Sequence, residues 1–318
     1  MGILKRGLLS GLQTTWTLGK IIFPVTLFVT LLGYTPALDW LARLIAPVMS
    51  WMGLPGEAAI PLVIGNVLNL YAGIGAILSL DLTVKEVFIL AVMLSFSHNL
   101  LVESAVAAKV GIRVSVIVAV RLGLAFVSAV LINLLWSGGA EQAVYGFSSQ
   151  GQNAGQEASG LPAILFEGLS SAALGVLQLA LIVIPLMVLV QVMREKGWLA
   201  VFSKWLAPLT RLMGVGRNTS TTLASGLTIG LAYGAGVMIQ AVKEDRVKKK
   251  DLYIVFIFLV ACHAVVEDTL VFLVLGIPVW PLLLIRLITA LVLTVAISRI
   301  WNQFERKQSR VRGEAYDH

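Results

Sequence analysis

Apolar segments close to 20 residues long recur from one end of this chain to the other, and they restrict the fold more than any other feature. A hydrocarbon layer about 30 Å thick takes about 20 residues of helix to cross, and every backbone polar group inside it must be satisfied within the protein. The 318 residues are 58% hydrophobic and 13% charged, whereas an average soluble domain carries roughly 25% charged residues. Mean hydropathy is +0.90. The pattern predicts an all-α polytopic membrane protein. A β-barrel would instead alternate polar and apolar residues over segments of about ten.

The net charge of +7 does not point to nucleic acid, because the basic residues cluster in short loops and in the tail SRIWNQFERKQSRVR, as cytoplasmic loops require. The expected partners are the lipid bilayer and a small solute or ion, and the sequence is compatible with a homo-oligomer. The single Cys262 excludes a disulfide framework and any multi-cysteine metal site within one chain. Lys5 and Arg6 open the chain, Lys20 interrupts the first apolar run, and no small-residue cleavage site follows, so no removable signal peptide is expected. The expected location is a bacterial inner (plasma) membrane with both termini cytoplasmic.

The chain also repeats itself. Pro24, Pro47, Gly53, Gly65, Gly73 and Gly75 have counterparts in Pro185, Pro208, Gly214, Gly226, Gly234 and Gly236, all 161 residues later. Beyond an insertion near Lys243 to Arg246 the spacing becomes 165, and His98, Glu103, Gly111, Arg121 and Trp136 match His263, Asp268, Gly276, Arg286 and Trp301. Unrelated apolar segments would not align rare polar residues in this way. The expected organisation is a first repeat over 1–136, a polar extracytoplasmic linker over 137–166, a second repeat over 167–301 and a basic cytoplasmic tail over 302–318.

Each half reads as an apolar helix (about 16–34 and 170–192), an amphipathic stretch ending in Met-Gly, a glycine-rich segment (about 57–80 and 218–241) and two further apolar helices, 87–107 and 114–136, repeated at 252–274 and 280–301. Lys and Arg distribute oppositely in equivalent loops: one in 35–57 against five in 194–217, and one in 81–86 against five in 243–251. Lys109 and Arg113, in turn, face a counterpart, 275–279, with none. By the positive-inside rule the two halves then have inverted topology. Inversion requires an odd number of crossings per half, so one element must enter and leave on the same side. The glycine-rich segments are the candidates for a re-entrant or broken helix, since glycine lets the backbone turn; a close-packed spanning helix is the alternative. The run NTSTT, Asn218 to Thr222, reads as a helix N-cap cluster.

Charged residues inside these oily helices define the candidate site. Glu103 stands eight residues before the turn at Gly111 and Arg121 ten after it; Asp268 and Arg286 stand likewise about Gly276. Antiparallel helices would bring each pair to one depth, where a lone charge costs several kcal/mol and pairing is expected. Such pairs can be structural bridges or direct contacts to a solute or ion. His98 and His263 precede the acids by five residues, off their helical face, whereas Glu267 is four after His263 and shares its face. These groups can serve as a proton relay, as divalent-metal ligands, or as satisfied intramembrane hydrogen bonders. Asn66, Asn69 and Tyr71 in the first glycine-rich segment, Ser225, Thr228 and Tyr233 in the second, and Asn99 beside His98 add neutral groups for substrate binding or gating. No phosphate-binding loop, HExxH or GxSxG motif occurs, so neither an enzyme nor a cofactor is expected.

The stretch MGLPGEAAIPLVIGNVLNLYAGIGA followed by the polar SHNLLVES helix resembles the nucleoside-recognition, or Gate, domain. That domain occurs in concentrative nucleoside transporters, ferrous-iron transporters of the FeoB type and spore-maturation membrane proteins, and this chain is similar to two such units in tandem over most of residues 16–301. The resemblance implies a re-entrant hairpin at the glycine-rich segment, with Asn66, Asn69, Ser225 and Thr228 near cargo. No soluble G domain and no extra scaffold helices accompany the two units, so it implies neither FeoB-like import nor nucleoside specificity. The expected function is a secondary transporter or channel-like carrier with cargo held between the repeats near the midplane; the alternative is a non-transporting scaffold or assembly protein of the spore-maturation type.

Overall fold

The computed structural model describes residues 2–145, 160–231 and 247–314. Its helices are α1 (Ile3–Gly33), α2 (Pro36–Trp51), α3 (Ala59–Val67), α4 (Leu70–Ile77), α5 (Val84–Ser97), α6 (Leu100–Lys109) and α7 (Val114–Leu135) in the first half. The second half holds α8 (Leu161–Glu195), α9 (Trp198–Leu212), α10 (Ser220–Ile229), α11 (Lys249–Ala261), α12 (Val265–Leu270), a 3-10 turn (Val271–Leu275) and α13 (Val279–Glu314). Among the described residues the β-structure is one isolated bridge, Thr83 to Gln142. Three of the described spans are long and apolar enough to cross a membrane: Val84–Lys109, Val114–Leu135 and Val279–Glu305. The first lies mostly inside the protein, while α7 and α13 leave most of their apolar flanks outward, including Leu134, Leu135, Trp280 and Val292.

Two long helices, α1 and α8, pack antiparallel through small residues. A side chain on Gly7 or Gly11 would collide with the α8 backbone at Val188 or Ile184, at 2.8 and 2.9 Å, and Gly19 meets Val176. Glycine at these positions allows the close helix approach that packing in a lipid environment relies on. Arg6 pairs with Glu195 at one end, and Tyr34 donates to Glu167 at 2.5 Å at the other.

The glycine-rich segment 57–80 is a broken helix. α3 stops at Leu68, α4 restarts under the Asn69 cap, and Gly65 and Gly73 touch where the two short helices cross. In the second half α10 ends at Gly230, which takes φ 84°, and residues 232–241 of that segment lie outside the described residues.

Three expectations need correction. The helices at 87–107 and 252–274 are not continuous: the first breaks at His98 and Asn99, the second between Cys262 and Ala264. Neither break has the glycine or proline that ordinarily announces one. The linker is also not wholly a solvated loop. Its residues 139–145 lie against the start of α5, with Val84 and Lys85 N–H groups donating to Glu141 and Gly139 carbonyls at 2.9 Å. Ala143 is buried, Tyr145 donates to the Leu80 carbonyl at 2.8 Å, and α8 already begins at Leu161. Finally, Thr219 of the NTSTT run stands at the N-cap of α10 but makes no side-chain cap: it donates to the Gly216 carbonyl at 2.7 Å, and the Gly216 N–H is taken by Asp251.

The Gly65–Gly73 crossing gives a direct test. A Cβ on Gly73 would stand 3.0 Å from Gly65 Cα and 3.1 Å from both the Pro61 carbonyl and Leu94. Gly73→Val should therefore cost about 1–3 kcal/mol by overpacking, read as a lower midpoint for thermal loss of helical circular dichroism. Gly123→Ala, on an open face of α7, should leave that midpoint unchanged or slightly higher.

Candidate functional site

Two helix breaks build the site, and they have the same construction. Asn99 (φ 54°) and Ala264 (φ 41°) are the non-glycine residues with left-handed backbone among those described, and they are 165 positions apart. The N–H of Asn99 donates to the Gly65 carbonyl at 2.8 Å, and that of Ala264 to the Gly226 carbonyl at 3.1 Å. Each break is thereby fastened to the glycine-rich segment of its own half.

An arginine closes each break from the following long helix. A helix end leaves carbonyls without partners, and in an apolar surrounding these must be satisfied. Arg121 on α7 donates through Nε to the Phe96 carbonyl at 2.7 Å and through Nη2 to the His98 carbonyl at 2.5 Å, while its Nη1 lies 2.8 Å from Glu103 Oε2. Arg286 on α13 donates to the His263 carbonyl at 2.8 Å, to Asp268 Oδ2 at 3.1 Å and to Thr269 at 3.5 Å. Both arginines are fully buried. Only a planar fork with five donors can serve carbonyls and a carboxylate together.

The two breaks face each other across the centre. The imidazoles of His98 and His263 stack with centroids 5.2 Å apart. Each ring places Nδ1 on the carbonyl one turn back, Leu94 at 2.7 Å and Leu259 at 2.9 Å, so Nε2 points inward. His263 Nε2 lies 3.1 Å from Glu103 Oε1 of the other half and 3.5 Å from Asp268 Oδ2; His98 Nε2 lies 3.4 Å from Glu103 Oε1 and 4.0 Å from Asp268 Oδ2. Two imidazoles, two carboxylates and two guanidiniums, drawn equally from the two halves, thus meet in one buried centre. Such an arrangement can hold a cation on the imidazole and carboxylate atoms, or pass a proton between them.

The sequence expectations distribute unevenly over this geometry. Glu103 with Arg121 and Asp268 with Arg286 are paired as their spacing suggests. His98 does share a face with Glu103, because the break cancels the five-residue offset that an unbroken helix would impose. Glu267 does not join His263: the two lie on opposite sides of a break, and Glu267 instead accepts from Tyr71 of the first half at 2.6 Å. Asn69 is engaged as the α4 cap, accepting from the Ala72 N–H at 3.0 Å. Asn66 is half-buried at the end of α3, with a buried Oδ1 that meets no hydrogen-bond donor among the described residues. Asn99 serves through its backbone at the break. Ser225 and Thr228 lie on α10 with side chains outside the described residues, and Tyr233 lies outside them altogether. The sequence reading missed the carbonyls of Phe96 and His98 and the hydroxyl of Thr269. An asparagine between two apolar helical runs was the available signal for a left-handed residue.

The fork contacts predict how substitutions at Arg121 behave. Arg121→Met leaves two helix-end carbonyls without their donor and Glu103 without its ion-pair partner, and should lower stability by about 3–5 kcal/mol. Arg121→Lys keeps the charge but cannot reach all three acceptors, so it should still lower the detergent-solubilised melting midpoint measurably, though less than the methionine. A lysine variant that melts with the wild type would show that the charge alone matters.

With this geometry in view, comparison with known proteins places the chain. The pattern of the family described as "Nucleoside recognition" (Gate) matches residues 15–114 and 176–277. A Bacillus subtilis (strain 168) chain described as "Uncharacterized membrane protein YvoD" is 64% identical over 313 residues, spanning 98% of this chain and 99% of that relative. No solved structure matches. Each family match contains one of the two histidine-bearing helix breaks, and one of the spans long and apolar enough to cross a membrane, Val84–Lys109, lies within the first match. The chain is a multi-pass membrane protein belonging to the nucleoside-recognition (Gate) family.

Proposed function

We propose that this protein is a secondary transporter or channel-like carrier of a small polar solute or ion, built from two repeats of inverted topology in a bacterial inner membrane, with both termini cytoplasmic. One observation carries the reading: six ionisable side chains from both halves converge at the facing breaks of α5–α6 and α11–α12. Ionisable groups are costly at membrane depth and mark transport paths when broken helices from two repeats bring them together. A structural bridge needs an acid and an arginine. It does not need two histidines turned toward the carboxylates of both halves.

The inverted topology has independent support. α1 and α8 are equivalent by the 161-residue spacing of Pro24 and Pro185, and they pack antiparallel. The reversed Lys/Arg bias of equivalent loops agrees. The Tyr71–Glu267 bond joins the first hairpin to the second break and gives a contact that must open if cargo passes from that side.

The scaffold alternative has one observation in its favour, the occupation of both arginines by carbonyls and acids within the fold. Neutralising one acid separates the two. In proteoliposomes screened with nucleosides, divalent metals and small anions, the wild type should carry at least one class. Glu103→Gln, which leaves Arg121 on its two carbonyls, should remain folded by size exclusion yet lose flux. Full flux in a folded Glu103→Gln would assign the pair to bridging, and no flux for any cargo in wild-type vesicles would leave the scaffold reading in place.

A further inference from the structure

We propose that the inward atoms of His98, His263, Asp268 and Glu103 form a binding site for one divalent transition-metal ion of the zinc, ferrous and manganous class. The inference deepens the transport reading by naming the ligand class of the same site, but metal binding is measurable whether or not anything is transported.

Four features of the centre lead to this assignment. First, each Nδ1 is engaged by a backbone carbonyl, Leu94 at 2.7 Å and Leu259 at 2.9 Å, so that Nε2 is the nitrogen turned to the centre and the one with a lone pair whenever the ring is neutral. This second contact characterises metal-ligating histidines and fixes ring orientation before the ion arrives. Second, the spacings suit an ion. A tetrahedral shell with bonds of about 2.0–2.1 Å separates neighbouring ligand atoms by roughly 3.3–3.4 Å. The four separations between imidazole nitrogens and carboxylate oxygens are 3.1, 3.4, 3.5 and 4.0 Å, and His98, His263 and Asp268 bring their donor atoms within 4.8 Å of one another.

Third, His263 Nε2 is buried and makes no aligned hydrogen bond among the described residues despite its 3.1 Å approach to Glu103. Fourth, Arg121 grips the other carboxylate oxygen, Oε2, and so turns Oε1 of Glu103 toward the two rings. Cys262 is buried next to His263 but contributes no atom to the cluster, so the donor set is nitrogen and oxygen. Such a set favours borderline divalent ions over soft monovalent copper.

The arginines also shape the affinity. Two guanidiniums offset two carboxylates, so the centre is neutral when both imidazoles are neutral, and a bound dication leaves an excess of positive charge in a poorly polarisable surrounding. Binding is therefore reversible and readily exchanged, unlike at a structural site made of thiolates.

The test uses the full chain in detergent, stripped with chelator and titrated with Zn²⁺ against a chromophoric indicator, with Mn²⁺ and anaerobic Fe²⁺ as parallel probes. One ion per chain is expected. His98→Gln and His263→Gln should each weaken binding about 10–100-fold, and Cys262→Ser should not change it. Should a histidine variant fail to fold, X-ray absorption of the zinc-loaded wild type decides: nitrogen and oxygen at about 2.0–2.1 Å with outer-shell imidazole scattering is expected. Absence of stoichiometric binding of all three ions, an imidazole-free shell, or loss of binding in Cys262→Ser would each overturn the proposal. One ion per chain without flux would sink the transport reading and leave the metal site standing; flux of another cargo without metal binding would do the reverse.

Discussion

The guanidinium of Arg121, with its twin Arg286, is the interaction on which the rest of the centre depends. Breaking a helix inside an apolar layer exposes carbonyls that have no water to turn to, and each unsatisfied group costs several kcal/mol there. By reaching across from the next long helix, each arginine satisfies the broken end and pairs with a carboxylate. Remove it, and neither the left-handed residue at the break nor the inward-facing histidine has anything to hold it. The acid makes the arginine tolerable, and the arginine makes the break tolerable.

This dependence explains why the duplication extends to detail. Equivalent left-handed residues, equivalent histidine-to-carbonyl bonds and equivalent arginine-to-carbonyl bonds recur at the same spacing. The turns at Gly53 and Gly214, 161 residues apart, recur too, and a side chain at either would strike Asn133 or Ser298, themselves equivalent positions. Phe88 against Trp136 and Tyr253 against Trp301 repeat a ring contact. The duplicated unit carries a mechanical solution as well as a hydrophobic pattern.

Much of this was legible in the sequence, and for a definite reason. Rare polar residues in an oily chain stand out, so the repeat, the pairing of Glu103 with Arg121 and of Asp268 with Arg286, and the break in the first glycine-rich segment could be read from residue type and spacing. The helix breaks at His98 and Cys262 could not, because no glycine or proline marks them and each is stabilised by an arginine more than 20 positions away. Glu267 was misplaced by the same blindness: an i to i+4 rule assumes a continuous helix. The approach of His263 to Glu103, and of Tyr71 to Glu267, crosses between halves, and no local pattern encodes a distance of that kind.

The two breaks are alike in shape but not in the residue that makes the turn. Asparagine tolerates left-handed backbone comparatively well, whereas alanine resists it by roughly 1–2 kcal/mol. The architecture is thus a pair of matched springs, one of them wound tighter. A nearly symmetric fold thus carries its backbone strain unequally, more of it at Ala264 than at Asn99.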